Sequence, residues 1–229
     1  MSPRAEGPGT TPGNEGRFEG YDVLSQKKYW DPATAGVVEA RLTPPGRLAF
    51  FTESEAATAA ALLDLLLGQH EEPKVPVLEL VDQRLDAGET DGWRYEDLPE
   101  DSEAWRQSLA FLDEDAKEQL GQRFHLCSDD DLGRLLQGVK DSQTWHEWSA
   151  EHVWSLWTRY ACSAFYAHPW AWNEVGFGGP AYPRGYKVLH PGWREPWERP
   201  ETDAEDPVPW ATRAEDAKRS HEVRMGERR

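Results

Sequence analysis

Histidine and glutamate residues lie close together in the second half of the sequence, and these residue types can bind a metal ion. His146 and Glu147 stand a few residues before Glu151 and His152. The sequence has no H-E-x-x-H pattern and no pair of C-x-x-C patterns, which are spacings typical of zinc sites. Glu151 and His152 also fall in the first turn of a predicted helix, where the dipole alone favours an acidic side chain. We therefore expect no metal site, with a metal-dependent enzyme using His146, Glu147 and His152 as an alternative.

The patterns of nucleophilic and nucleotide-dependent catalysis are also missing from the sequence. It has no G-x-S-x-G, and the glycine-rich stretch 176–185 contains no Lys of the kind that a phosphate-binding loop needs. No strand is predicted before these glycines, so a Rossmann site for NAD or FAD is not expected. The formal net charge of −17 argues against binding to nucleic acid or to an anionic membrane surface, because both need clustered Lys and Arg. We expect no catalytic residue and no cofactor in this chain.

The stretch 168–186 is the most distinctive part of the sequence, because it combines Trp, Gly and Pro at high density. Its prolines lack backbone donors and its glycines disfavour regular structure, so we expect neither a helix nor a strand here. The stretch is too apolar for a solvated linker, which leaves an ordered loop. His168, directly before Pro169, is expected to cap the preceding helix through its favourable interaction with the last carbonyl groups.

The aromatic side chains of this loop must pack against something, either the rest of the chain or a partner. The chain has twelve Trp, a residue that offers a large contact area with few rotatable bonds and is enriched at protein interfaces. One interpretation is therefore a surface for a partner protein. The other is a stand-alone carbohydrate-binding or carbohydrate-active domain, in which Trp170 and Trp172 form a platform for a sugar and Glu174 supplies a carboxylate.

Apolar periodicity predicts five helices and no strand. The clearest helix begins after Thr52, because Thr52 and Glu55 form a capping box, and it ends at Gly68. The others cover 75–87, about 102–120, the residues after Ser128, and the residues after Ser149 up to the position before Pro169. The predicted fold is all-α: an irregular bundle of about five helices with a long ordered Trp/Gly/Pro-rich C-terminal loop and disordered tails.

Composition divides the chain into one domain and two tails. Residues 1–20 are rich in Pro, Gly and Glu and are expected to be disordered. Residues 21–197 are expected to form the helical domain, which begins with an extended, partly docked arm at 21–49. Residues 198–229 are expected to be a charged, disordered tail. No apolar run is long enough to span a membrane and no export signal is readable, so we expect no membrane insertion and a cytoplasmic location.

Three parts of the sequence resemble the gluconate 2-dehydrogenase subunit 3 family. They are the entry into the first predicted helix (50–57), the proline-started second helix (75–82), and the aromatic ending rich in Pro, Asn and Gly (166–180, with 183–186). The third part is the most specific, and the resemblance extends over about 21–197. It implies a small helical subunit that carries no cofactor of its own.

The resemblance also implies a partner. Members of this family accompany a large FAD-dependent dehydrogenase of the glucose–methanol–choline type, which acts on sugars, sugar acids or polyols, and some complexes add a cytochrome c subunit. The small subunit would support folding, maturation or export of the large one. Many members carry a twin-arginine export signal, which this sequence lacks, and this favours a cytoplasmic complex. We expect the loop to contact the partner through seven residues: Trp170, Trp172, Asn173, Phe177, Gly178, Gly179 and Arg184.

Overall fold

The computed structural model describes residue 18 and residues 20–44, 46–70, 72–188 and 193–199. This part of the chain is all-α, as predicted. Its α-helices are α1 Pro32–Ala40, α2 Glu53–Leu67, α3 Val77–Asp86, α4 Asp101–Leu120, α5 Asp129–Asp141, α6 Ala150–Ala167 and α7 Pro169–Val175, and 3-10 helices cover Val23–Tyr29 and Phe124–Leu126. The predicted tails 1–20 and 198–229 lie almost wholly outside the described residues.

A short hairpin lies between α5 and α6, although the sequence predicts no strand. Each of its two strands has two residues. β1 Thr144–Trp145 pairs antiparallel with β2 Trp148–Ser149. His146 and Glu147 form the turn between them, and both have positive φ, at 45° and 69°. Such values are uncommon for residues other than glycine, which explains why no hairpin signal stands out in the sequence.

The ends of α2 agree with the prediction. The Thr52 N–H donates to Glu55 Oε2 at 2.8 Å, and the Glu55 N–H donates to Thr52 Oγ1 at 3.3 Å, so both halves of the capping box are present. Gly68 ends the helix in the left-handed conformation with φ 67°. These contacts satisfy backbone groups that have no partner within the helix.

The central helix of the bundle is α6, which packs against α2, α3, α5 and α7. Its predicted apolar stripe is buried at Val153, Leu156, Trp157, Tyr160 and Ala161. The polar atoms of its two largest buried side chains are satisfied: Trp157 Nε1 donates to Ser108 Oγ at 3.0 Å, and the Tyr160 hydroxyl donates to Asp101 Oδ2 at 2.7 Å. Both burial and side-chain hydrogen bonds therefore stabilise the position of α6 in the bundle.

A buried carboxylate on α3 holds the segment that leads into α2. Asp82 accepts hydrogen bonds from the backbone N–H groups of Ala49, Phe50 and Phe51 at 2.7, 3.0 and 2.8 Å. Arg106 of α4 donates to the Phe50 carbonyl at 2.7 Å. The backbone of this irregular segment thus obtains its hydrogen-bond partners from two neighbouring helices.

The arm at 21–49 is largely helical, which corrects the prediction of an extended segment. Asp22 caps the 3-10 helix, Asp31 caps α1, and Pro32 occupies the first turn of α1, where its missing N–H is not needed. Pro32 therefore marks a helix start and does not interrupt the arm. The arm forms a second hydrophobic cluster made of Tyr21, Val23, Trp30, Ala35, Val38 and Trp172.

Candidate partner interface

The stretch 168–186 contains a helix, which corrects the expectation that none forms there. α7 follows α6 directly and spans Pro169–Val175. Pro169 stands at its first position, and Gly176 ends it with φ 69°. The Pro and Gly residues therefore mark the ends of α7 and the loop behind it. Proline disrupts the interior of a helix but is favoured at its first position, which explains why a helix forms here.

Two of the seven predicted contact residues lie inside the protein, where α7 meets the arm. Trp172 is 7% exposed, and its Nε1 donates to the Tyr166 carbonyl at 2.6 Å. Asn173 is buried, and its Oδ1 accepts the Val23 N–H at 2.8 Å. Arg41 of the arm donates to the Ala167 carbonyl at 3.0 Å. These contacts fix the arm onto the junction of α6 and α7.

The two glycines of the predicted interface also serve packing within the chain. Gly179 has φ 76°, and a Cβ there would lie 2.6 Å from Trp30 Cζ2. At Gly178 a Cβ would lie 2.6 Å from Trp197 Cδ1. At both glycines the backbone lies close to a tryptophan of the same chain, whereas the sequence predicts contact with a partner.

Arg184 joins the loop to the arm and to the last described segment. Its guanidinium donates to the carbonyls of Gly178 and Pro180 at 3.0 and 3.1 Å, and to Gln26 Oε1 at 3.1 Å. The guanidinium also lies 4.1 Å from the Trp197 ring centroid. Burial lowers the pKa of Arg184 from its ordinary value, although the group stays charged near neutrality. Arg184 therefore links the loop to the arm and to the segment that contains Trp197.

Trp170 and Phe177 are the more accessible members of the predicted set. Trp170 is half-buried and lines a cavity beside residues 68–75. Phe177 is 40% exposed, and its ring packs edge-on against Trp172 at 5.4 Å. The assignment of the seven residues to a partner interface stays a prediction. The structure places Phe177 on the outside and Trp172, Asn173 and the two glycines within.

Most of the exposed large hydrophobic side chains lie in two parts of the sequence, the arm and residues 166–193. Among the described residues, ten large hydrophobic side chains are exposed, and only Trp93 and Leu126 lie outside the arm and residues 166–193. Of the other eight, only Phe177 belongs to the predicted contact set. Five of these eight define what we call the aromatic face: Tyr29, Phe177, Tyr182, Tyr186 and Trp193.

Two members of the aromatic face, Tyr29 and Tyr186, lie beside Arg184 and Trp197. The Tyr29 ring centroid lies 6.0 Å from the Arg184 guanidinium, and the Tyr186 ring lies 6.3 Å from that of Trp197. The segment that carries Trp193 is anchored by buried Glu195, which accepts the N–H of Val188 at 2.5 Å. The exposed rings thus stand on an ordered support.

The two alternative chemistries find little support in this geometry. His146 contacts Asp115 at 2.9 Å, whereas His152 contacts Asp97 at 2.6 Å, so the two histidines have different partners. Within the described ranges, no group of three or more His, Cys, Asp or Glu could hold a metal ion. Since Trp172 is buried, Trp170 and Trp172 do not form an exposed platform for a sugar.

Among the described residues, no helix is long and apolar enough to cross a membrane.

His168 ends α6, as expected, and it also caps the start of the next helix. It is 1% exposed, and its Nδ1 accepts the Trp170 N–H at 3.2 Å, so it caps the start of α7. Burial, with a smaller contribution from Arg41, lowers the pKa of His168 from 6.5 to about 4. The imidazole is therefore neutral and acts as an acceptor, which corrects the expected interaction of a cation with the end of α6.

The buried histidine predicts a specific pH dependence of stability. The unfolded chain takes up a proton at His168 near pH 6.5, whereas the folded chain resists protonation down to about pH 4. The stabilisation is complete above about pH 6.5 and is lost as the pH falls toward about 4, by at most about 1.4 kcal/mol per pH unit. His168→Asn keeps a capping acceptor and should flatten this slope in urea unfolding series. His70→Asn, at an exposed histidine, is the control, and equal slopes in all three proteins would contradict the prediction.

The described residues form an all-α bundle. Its N-terminal arm and residues 177–193 carry the exposed side chains of the aromatic face. A family model described as Gluconate 2-dehydrogenase subunit 3 matches residues 53–179. The match covers more than half of the 229 residues, and the chain belongs to this family. It spans α2 to Gly179, so the arm lies outside it. No curated protein and no solved structure matched the chain.

Proposed function

We propose that the chain is the non-catalytic small subunit of a flavin-dependent dehydrogenase that oxidises sugars, sugar acids or polyols. In this proposal the large subunit binds FAD and carries out the reaction, and the small subunit supports its folding, maturation or stability. Family membership supports the role of a subunit. The partner is the large glucose–methanol–choline type dehydrogenase that the sequence resemblance implies.

The observation that carries the proposal is the concentration of exposed aromatic side chains on the aromatic face. Tyr182 and Trp193 are 69% and 70% exposed, and clusters of exposed apolar side chains are typical of surfaces that bind a partner. Large aromatic rings that stand on a rigid support are typical anchors of protein interfaces, because little conformational entropy is lost when they are covered. We therefore place the large subunit on this face.

Co-expression with a large FAD-dependent dehydrogenase of the glucose–methanol–choline type tests the proposal. The double variant Tyr182→Ser, Tyr186→Ser removes two exposed rings and should weaken the complex about tenfold, which corresponds to about 1.4 kcal/mol. Affinity is measured by titrating the purified subunits, and the FAD content of the large subunit is measured after co-purification.

The control variants are Leu126→Ser and Trp93→Ser, since both residues are exposed but belong neither to the arm nor to residues 166–193. They should leave the affinity unchanged. The proposal fails if the large subunit folds, binds FAD and turns over equally well without this chain. The choice of face fails if the controls weaken the complex as much as the double variant does.

A further inference from the structure

The acidic excess of the chain is concentrated in the helical bundle. Residues 50–165 contain 25 Asp and Glu against 9 Lys and Arg, whereas the arm and residues 166–198 together contain 6 against 7. The formal net charge of −17 therefore comes almost wholly from the bundle. The aromatic face belongs to a part of the chain that is close to neutral, so its electrostatic surroundings differ from those of the bundle.

The cations of these two parts differ in their partners. Within the bundle, six of the nine Lys and Arg form ion pairs with carboxylates: Lys74, Arg84, Arg94, Arg106, Arg134 and Arg159. Of the other seven, only Lys27 forms an ion pair with a described residue. Lys28, Lys187 and Arg194 are exposed, and no described carboxylate pairs with them. Their charge is thus available to a group from outside the chain.

Lys28 and Lys187 lie beside two rings of the aromatic face. Lys28 Nζ lies 5.0 Å from the Tyr29 ring centroid, and Lys187 directly follows Tyr186 in the sequence. The Arg184 guanidinium lies 6.0 Å from the Tyr29 ring centroid, and the tryptophan ring on which it stacks lies 6.3 Å from that of Tyr186. Both lysines therefore belong to one connected group of side chains.

A buried carboxylate brings the chain at Arg194 next to the chain at Lys187. Glu195 is 4% exposed and accepts the backbone N–H groups of Lys187 and Val188, the second at 2.5 Å. The two segments therefore run side by side, and each carries an exposed cation. Together with Lys28 on the arm, these cations form what we call the basic rim of the aromatic face: Lys28, Lys187 and Arg194.

Exposed rings that are bordered by a basic rim favour a partner with an acidic surface. Charges around an apolar contact add little to affinity, but they steer the encounter and select the partner. An acidic surface is repelled by the bundle and attracted by the basic rim, so it approaches in one orientation. A basic surface would instead be drawn to the carboxylates of the bundle and away from the exposed rings.

We propose that the large subunit covers the aromatic face with an acidic surface, whose carboxylates lie against Lys28, Lys187 and Arg194. This inference rests on the proposed function and adds the chemistry of the partner's contact surface. The rings supply the apolar area of the contact, whereas the basic rim sets the orientation and speeds association. The bundle, with its excess of carboxylates, stays outside the contact.

Charge reversal on the basic rim tests the inference with the same large dehydrogenase of the glucose–methanol–choline type. The rim variant Lys28→Glu, Lys187→Glu should slow association about tenfold at about 0.15 M salt, measured by stopped-flow mixing of the purified subunits. At about 1 M salt the rate should return to within about twofold of that of the unmodified chain. The reason is that the Debye length falls from about 8 Å to about 3 Å, which screens exposed charges.

The matched control is Lys117→Glu, Lys140→Glu, which changes the net charge equally but lies outside the arm and residues 166–198. Both control lysines are exposed in the last turn of a helix. Lys140 Nζ also lies 5.4 Å from a tryptophan ring, much as Lys28 lies beside Tyr29. The control should associate within about twofold of the unmodified chain. Urea midpoints of both variants should match that of the unmodified chain, because all four lysines are exposed.

Several results would overturn the acidic surface. They are an unchanged or faster association of the rim variant, an equal loss in the control, or a loss that persists at about 1 M salt. If the isolated chain self-associates in sedimentation and the rim variant abolishes this, the face binds a second copy and the proposal is also overturned. When Tyr182→Ser, Tyr186→Ser weakens the complex and the rim variant does not, the proposed function stands and the acidic surface alone is wrong. If no complex forms with the unmodified chain, the proposed function fails, and this inference fails with it.

Discussion

Replacement of Asp82 by alanine should destabilise the fold by about 3 kcal/mol, the larger of the two strongest effects we expect. The carboxylate accepts three backbone N–H groups at 2.7–3.0 Å in the segment that leads into α2. Without it, these donors lose their acceptor, and a buried unsatisfied group costs about 1–3 kcal/mol. The total stays below three full penalties because the hydrogen bonds of the Ala49 and Phe50 N–H groups are only partly buried, so these two groups regain water.

Urea unfolding followed by circular dichroism measures this effect. Asp86→Ala is the matched control, since it removes the same charge and the same atoms from an exposed position at the end of α3. Its free energy of unfolding should stay within about 0.5 kcal/mol of that of the unmodified chain. Equal midpoints for the two variants would show that Asp82 does not hold the entry of α2.

Gly179→Ala should cost about 2–3 kcal/mol and detach the arm from α7. The position has φ 76°, which is strained for any L-residue with a side chain, and the new Cβ would lie 2.6 Å from Trp30 Cζ2. Backbone strain contributes about 1 kcal/mol, and overpacking contributes about 1–3 kcal/mol. Because Trp30 and Val23 belong to the cluster that joins the arm to Trp172, the strain is relieved most easily by release of the arm.

Hydrogen exchange at the Val23 N–H reports on this release, because that group is buried and bound to Asn173. Gly179→Ala should speed its exchange strongly and leave the exchange of α6 amides unchanged. Gly185→Ala is the control: Gly185 also has a positive φ, 68°, but no atom lies within 4 Å of the position of its Cβ. If both variants speed exchange at Val23 equally, backbone strain alone is responsible and the contact with Trp30 is not.

The helical bundle could be predicted from the sequence because its determinants are local. The Thr52 capping box, the left-handed Gly68 and the apolar stripe of α6 each depend on residues within a few turns of one another. α7 was missed because Pro169 was judged as an interior residue, although proline at a first helical position favours a helix. The hairpin was missed because His146 and Glu147 are unusual residues for positive φ.

The candidate site could be predicted only in part, because its geometry depends on contacts between distant segments. The sequence identifies 168–186 as the distinctive stretch, but it does not show which of its side chains face outward. The predicted contact set therefore includes Trp172, which is buried, and omits Tyr182, which is 69% exposed. The docking of Val23 on Asn173 joins residues 150 positions apart, and no local pattern reveals such a pair. Asp82 likewise looks like an ordinary helix residue until its three backbone donors are known.

The aromatic face is assembled from parts of the chain that are synthesised at very different times. Tyr29 leaves the ribosome early, whereas Gly179, Arg184 and Trp197, which hold its surroundings in place, emerge more than 140 residues later. Long-range contacts form only once both segments are available, even when the intervening helices have already folded. A fragment released before residue 193 would contain the whole helical bundle and still lack a complete face. The aromatic face and its surroundings are therefore complete only in a chain that has been synthesised beyond residue 197.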